Sequence, residues 1–301
     1  MKVFITGATG FIGKHLVKKL LDEGCNVHIN IFGNELSPFD NRIRTYNLNE
    51  LNANRDIEYF KQEDFDGVIH LASHYVTNHQ PEDAVRLIDS NLRFSTYVLE
   101  CTSRANIKWF INTGTFWQHY NNSKYSPVNL YAATKQAFET ISQFYIETSS
   151  IKFITLKLCD TYGPNDERMK LFNLWIKSAK NEEIINMSPG EQVIDICYID
   201  DITNAYLILT KHLNDNSRDI TSGMSYVVSS KTRYTLKYLF EVFVQVTGIK
   251  PIINWGNKEY RNREVMIPWE NGTIVPGWEQ KYSIHEGLRN ILNTNAESIL
   301  R

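Results

Sequence analysis

The sequence predicts an α/β protein: a doubly wound parallel sheet with a smaller C-terminal α/β lobe. Two observations carry this. Short, continuously apolar runs alternate with helical stretches through the first half of the 301 residues, and strands apolar along their whole length are strands covered on both faces. A glycine-rich turn joins the first such strand to the first helix, and in such sheets ligands sit beyond the carboxyl ends of the strands.

Residues 3–6 read as a buried strand, 11–21 as a helix ending near Gly24, and 27–32 as a second strand. Arg42 and Arg44 fall on the strand expected next. Strand 66–72 follows, then a long helical stretch over 82–104, strand 107–113, helix 131–149 and strand 151–158. After Gly163-Pro164 the alternation loosens. The division expected is therefore a first domain over 1–160 and a second lobe over 161–301, with 192–213 returning to the first. Asp200 reads as the cap of the returning helix, with Asp201 an acid of its first turn.

Bulk properties exclude several classes. A net charge of −2 gives no general drive toward nucleic acid or an acidic membrane surface. No apolar run is long enough to span a bilayer. Cys25, Cys101, Cys159 and Cys197 lie far apart without a Cys-x-x-Cys, which argues against a zinc site and a disulfide framework. Met1 leads straight into a strand with no room for a signal peptide, so the expected compartment is a reducing cytoplasm. His70, His74 and His79 invite a metal, but no Glu or Cys completes a ligand set, and none is expected.

Thr6-Gly7-Ala-Thr-Gly10-Phe-Ile-Gly13 follows a strand and opens a helix. Gly7 permits a tight turn, Gly10 lets a pyrophosphate approach helix-terminal amides, and Gly13 allows close helix–sheet packing. Farther on, Tyr131 and Lys135 are spaced by four and share one helix face. An ammonium beside a phenol favours the phenolate, so the tyrosine can exchange a proton nearer neutral pH than its ordinary value of ~10 allows. A carbonyl–alcohol redox step needs such a group.

With both motifs in place, the chain resembles the short-chain dehydrogenase/reductase superfamily. Within it, the chain is similar to the extended branch, the NAD-dependent epimerase/dehydratase family acting on nucleotide sugars. His70-Leu-Ala-Ser73, Asn91, Leu158-Cys-Asp-Thr-Tyr-Gly-Pro164 and Tyr198-Ile-Asp-Asp-Ile202 fit along nearly the whole length. The resemblance implies a Rossmann-type fold and a dinucleotide held by Gly7, Gly10, Phe11, Ile12 and Gly13, by Asn47 and Leu48 beside the adenine, by Leu71, Ala72 and Ser73, and by Tyr131 and Lys135. It implies catalysis by Tyr131, Lys135 and Thr113, with substrate contacts from Thr113, Thr115, Trp117, Arg168 and Arg261. Arg263 is a neighbour that could substitute for Arg261, and His119 and Tyr120 share the loop of Trp117. Ile194 stands where the family often has an arginine before Asp195. No acid ends the second strand at Phe32 or Gly33, and Arg42 or Arg44 could reach a phosphate, which favours NADPH over NAD(H).

The family's 4,6-dehydratases carry Thr-Asp-Glu where this chain has Thr113-Gly114-Thr115, so elimination lacks its acid and base. The chain further resembles nucleotide-sugar 4-ketoreductases of the CDP-abequose and CDP-paratose synthase type, through Gly190-Glu-Gln192 leading to 200–206 and an Arg-x-x-Glu-x-Met segment. The function implied is NADPH-dependent reduction of the 4-keto group of a nucleotide-linked deoxyhexose, by a cytoplasmic homodimer. The alternatives are a 4-epimerase with tightly held NAD and, less favoured because Tyr131 and Lys135 are both kept, a non-catalytic cofactor-binding sensor.

Overall fold

Successive side chains of a strand point to opposite faces of its sheet, and the apolar runs here sort accordingly. Val3 and Ile5 enter one core and Phe4 the other; Ile69 and Val68, Ile111 and Phe110, and Ile154 and Phe153 divide the same way. Both faces are therefore covered.

The computed structural model describes residues 1–33, 37–40, 43–48 and 52–299, with side chains as far as residue 294. In chain order the elements are β1 (Lys2–Thr6), α1 (Phe11–Asp22), β2 (Asn26–Asn30), β3 (Arg44–Tyr46), α2 (Ala53–Glu63), β4 (Gly67–His70), α3 (Pro81–Ile88), α4 (Ser95–Arg104), β5 (Trp109–Thr115), α5 (Leu130–Thr148), β6 (Lys152–Leu158), β7 (Asp160–Tyr162), α6 (Leu171–Asn181), β8 (Ile184–Met187), β9 (Val193–Ile194), β10 (Ile196–Tyr198), α7 (Ile199–Asn214), β11 (Ser225–Val228), β12 (Tyr234–Thr235), α8 (Leu236–Thr247), β13 (Ile252–Trp255), β14 (Thr273–Ile274) and α9 (Ile284–Ile299).

Eight strands form one sheet in the order β14-β11-β6-β5-β4-β1-β2-β3, every pair parallel. The order reverses between β1 and β4, the switch point at which doubly wound sheets open a crevice. Helices α1 and α7 pack against each other on one face, while α2, α4 and α5 cover the other. The short pairs β7–β10, β9–β12 and β8–β13 lie outside this sheet. They frame a small lobe whose core is aromatic: Trp175 meets Phe172, Phe240 and Phe243 at ring separations of 5.2–5.7 Å. Two later segments, β11 and β14, rejoin the large sheet through β6. Among the described residues no helix is long and apolar enough to cross a membrane.

Two local features differ from the sequence reading. The stretch expected as one helix over 82–104 is α3 and α4 separated by a widened, π-helical turn, Asp89–Phe94, a form that often marks functional positions. The cap of α7 is Tyr198, not Asp200. Asp201 is fully buried, and its carboxylate accepts the backbone amides of Lys281 (2.9 Å) and Tyr282 (3.1 Å). The helix starts at Ile199, so both acids fall in its first turn, and Asp201 anchors the segment that leads into α9. Asp201→Ala should lower stability by about 1–3 kcal/mol, leaving two amides without their acceptor. Urea unfolding with an unchanged midpoint would show that the tether contributes nothing.

Candidate active site

The turn after β1 depends on Gly7, whose φ of +71° is left-handed and whose Cβ, if present, would lie 2.5 Å from the Ala72 amide nitrogen. The 70–72 segment after β4 is therefore pressed against the turn. Thr6 Oγ1 lies 2.7 Å from His70 Nδ1 and also accepts the Ala72 amide, while His70 Nε2 meets Ser95 Oγ at 2.8 Å. Both nitrogens of His70 are thus engaged. Burial, with Lys135 adding to it, pulls the ring down to about 3, so His70 is neutral packing.

Gly10 caps α1 with no side-chain hydrogen bond to its first turn. It opens on a cavity shared with Gly7, Thr9, Leu71, Ala72 and Ser73, whose other wall is Phe32, Arg86, Asp89, Arg93 and Phe94. An uncapped helix terminus facing open space suits the phosphates of a dinucleotide. Gly13 is consumed by packing, and Phe11 lies 4.2 Å beneath the Arg168 guanidinium. Asn47 and Leu48 line neither this cavity nor the catalytic one. Leu48 donates its amide to Asn30 Oδ1, and Asn47, with its amide nitrogen facing them, reaches the Ile31 and Leu48 carbonyls. Arg44 is tied to Glu63 at 3.0 Å, and Arg42 lies outside the described residues.

The second cavity, of about 260 Å³, brings together Ile12, Leu71, Ser73, Thr113, Thr115, Trp117, Tyr131, Lys135, Arg168 and Arg261. These residues come from β1–α1, β4, β5, α5 and the small lobe. Helix α5 is aimed by Asn129, which accepts the Ala132 amide and donates to the carbonyls of Val76 and Thr77. Tyr131 therefore falls in the first turn, with Tyr75 edge-on at 5.0 Å, and Lys135 follows one turn later, 5.9 Å from the Tyr131 ring centre. The buried amide of Asn91, inside the π-helical turn, holds the parts in register. It bonds His74 through both N–H and C=O, accepts from Ser73 Oγ, and donates to Thr134 Oγ1, which in turn bonds the Tyr131 carbonyl.

Burial, not the neighbouring ammonium, governs Tyr131. It raises the phenol above its ordinary range, with a Ser73 hydrogen bond opposing. The expectation that Lys135 alone draws the tyrosine toward neutrality is therefore not met. Burial also pulls the Lys135 ammonium down to about 8, against an opposing contribution from Glu139. The hydroxyl of Thr113 lies 2.6 Å from that of Tyr206 on α7. Thr115 accepts the Trp117 amide, capping a short turn.

Across the cavity, Arg261 makes a bidentate pair with Glu264 (2.9 and 2.6 Å), and Arg168 pairs with Asp166 while bonding the Thr161 carbonyl. Lys170, not anticipated from the sequence, sits 4.1 Å over the Tyr75 ring. Lys170, Arg261 and the carboxyl of Asp160 lie where this cavity meets another cleft, which runs on past Phe172, Gln192 and Leu236. Arg263 instead bonds Ser126 and covers Tyr120. Asp195, beside Ile194, takes its arginine from Arg233 at 2.9 Å. His119 stacks on Trp269 at 3.7 Å, and burial holds it neutral, near 4. Cys159, Asp195 and Cys197 bring two thiols and a carboxylate within 4.8 Å of one another. Burial raises the Cys159 thiol well above its usual value, and Asp195 is already occupied by Arg233, Ser229 and the Ser230 amide.

Sequence reading gave no site role to Tyr75, Asp160, Lys170, Tyr206 and Trp269. Asp160 lies within the recognised Leu158–Pro164 segment and Tyr206 closes the 200–206 segment, whereas Tyr75, Lys170 and Trp269 sit in no motif.

Comparison with known proteins agrees with this geometry. The NAD dependent epimerase/dehydratase family matches residues 3–223. A CDP-abequose synthase from Salmonella muenchen is 30% identical over 97% of each chain, and one from Yersinia pseudotuberculosis is 30% identical over 89% of this chain and 92% of its own. Among solved structures, a UDP-glucuronic acid 4-epimerase from Bacillus cereus in complex with UDP-glucuronic acid and NAD superposes with a TM-score of 0.84 at 19% identity, covering 99% of this chain and 100% of that one.

The lowered Lys135 yields a pH prediction. The ammonium is the charged form below about 8 and is lost above it, so kcat/KM for a nicotinamide dinucleotide should fall on the alkaline side of that value. Lys135→Arg, which stays charged, should move the limb beyond about pH 10. An unmoved limb would assign it to another group.

Proposed function

Because this chain belongs to the NAD dependent epimerase/dehydratase family, we propose that it is a nucleotide-sugar 4-ketoreductase, reducing the 4-keto group of a nucleotide-linked deoxyhexose with NADPH. The observation that carries the reading is the packing around Gly114. A Cβ there would meet Lys157 Cγ and Thr155 Cγ2 at 2.8 Å and Gln118 Oε1 at 2.9 Å. A carboxylate at position 114 has no space unless these side chains shift, position 115 carries a threonine, and plain carbonyl reduction asks for neither acid. The CDP-abequose synthases, similar over nearly the whole chain, support the same choice.

The uncapped α1 terminus and the space above Gly10 fit a dinucleotide. When bound, it supplies the two electrons and the hydrogen delivered to the carbonyl carbon. The remaining work is the chain's own. Thr113 donates a hydrogen bond to the carbonyl oxygen, and Tyr131, kept protonated by burial, gives that oxygen its proton. Lys135 presents a positive charge to the same cavity, and Asn91 fixes both ends of the Tyr131 turn. Lys170 and Arg261, positioned where two clefts meet, and Arg168 on the wall of the first suit a sugar nucleotide's diphosphate. NADPH is favoured because β2 ends without a carboxylate among the described residues, and Arg86 and Arg93 line the cavity of Gly10. We place this activity in a reducing cytoplasm, in keeping with four free cysteines. We also propose a homodimer, supported by the apolar Val85, Ile88, Ile141 and Phe144 exposed on α3 and α5. Phe144→Asp should then yield a monomer in sedimentation; a wild-type chain that sediments as a monomer would refute the dimer.

The decisive assay offers CDP-, dTDP-, GDP- and UDP-linked 4-keto-6-deoxyhexoses with NADPH or NADH and follows the reduced-cofactor absorbance. Oxidation with at least one sugar is expected, faster with NADPH. Interconversion of 4-epimers without added cofactor would instead establish an epimerase. Tyr131→Phe should cut kcat by roughly 10²–10⁴-fold while dinucleotide affinity holds. A near-normal rate would remove Tyr131 from the chemistry.

A further inference from the structure

We propose that Tyr206 is a positioning residue for the reaction: its hydroxyl sets the direction of the Thr113 proton that meets the substrate oxygen. The inference rests on the carbonyl-reduction reading above and adds a residue to it from a different part of the chain.

Tyr206 stands 93 residues beyond Thr113, on the helix that returns to pack against α1. It is wholly buried, and its hydroxyl lies 2.6 Å from Thr113 Oγ1. Among the described residues it has no other hydrogen-bond partner. Thr113 lies two residues before the end of β5, has no other side-chain hydrogen bond among the described residues, and lines the cavity shared with Tyr131. Each hydroxyl has one proton to donate. Two arrangements of the pair are therefore possible. If Thr113 donated to Tyr206, it would offer the cavity only lone pairs, which repel a carbonyl oxygen. If Tyr206 donates to Thr113, the threonine proton is left to point into the cavity at that oxygen. The second arrangement is favoured because a phenol is the more acidic hydroxyl and so the better donor. A hydroxyl that accepts one such bond also donates a stronger one. After reduction, rotation of the two protons reverses the chain, so that Thr113 accepts from the new alcohol and donates to Tyr206. A purely apolar residue at 206 could pack there but could not steer Thr113 in either state.

The test is a double-mutant cycle of Tyr206→Phe and Thr113→Val on the full chain, with Thr113→Ser as the conservative rescue. Kinetics with a 4-keto nucleotide sugar are measured beside dinucleotide affinity and urea unfolding of the ligand-free protein. Tyr206→Phe alone should lower kcat about 2- to 10-fold, the worth of one hydrogen bond, with KM for the sugar nucleotide and dinucleotide affinity unchanged. In the Thr113→Val background it should cost nothing further in kcat, and in Thr113→Ser the sensitivity should return. The unfolding constants should show the same coupling with a change of sign, Tyr206→Phe lowering stability where residue 113 carries a hydroxyl and restoring it in Thr113→Val, where the buried phenol has lost its partner. Equal losses in both backgrounds, or shifted unfolding with kcat intact, would make Tyr206 a packing residue and overturn the proposal. Wild-type turnover tests the reductase reading separately. Should the wild type interconvert epimers instead, the same cycle is scored on that rate, since the hydroxyl must then meet ketone and alcohol in each turnover.

Discussion

Parallel pairing is the constraint from which this site follows. Eight strands running the same way leave all their carboxyl ends on one edge, and the reversal of order between β1 and β4 parts the loops there. Gly7 follows β1, Ser73 follows β4, Thr115 ends β5 with Thr113 two residues before it, and Asp160 follows β6. None of these positions was free to lie elsewhere once the apolar runs chose two-sided burial. The remaining freedom lies in how tightly the loops seat. Here the Thr6–His70–Ser95 chain and the Asn91 amide fix it with buried hydrogen bonds whose loss would leave unpaired polar groups.

Burial sets the electrostatics of the site more than any pair of charges does. Tyr131 and Tyr206 are pushed up, and Lys135, His70 and His119 down, each with desolvation as its leading cause. Cations gather across the cavity from Tyr131, at Arg168, Lys170 and Arg261. Two of them are already partly neutralised by Asp166 and Glu264. Those two guanidinium groups are therefore held in place and are not loose side chains.

Much of this was legible in the sequence because periodicity and turn chemistry are local. Strand runs announce two-sided burial, and three glycines between a strand and a helix announce a tight turn and close helix–sheet packing. Tyr131 and Lys135 announce a shared helix face. Residues that meet the site from far along the chain announce no role there. Tyr206 closes the 200–206 segment with nothing to link it to Thr113, and Trp269 looks like any scattered tryptophan. Asp200 reads as a cap, with Asp201 a first-turn acid, because acids favour helix starts. Only the folded chain shows that Asp201 is spent on the backbone of Lys281 and Tyr282. The substitution of Arg233 for the arginine absent at Ile194 is equally non-local.

The pairing of β11 onto β6, and of β14 onto β11, bears on how the chain can be made. A fragment ending near residue 160 would present β6 as an open, largely apolar edge, the kind of template that recruits other chains. The first half of the chain is thus not a module that can be cut out and expressed alone. During synthesis the sheet stays incomplete until residues 225–228 and 273–274 have emerged. Late translation of the last third, or a truncation within it, exposes the nascent protein to aggregation.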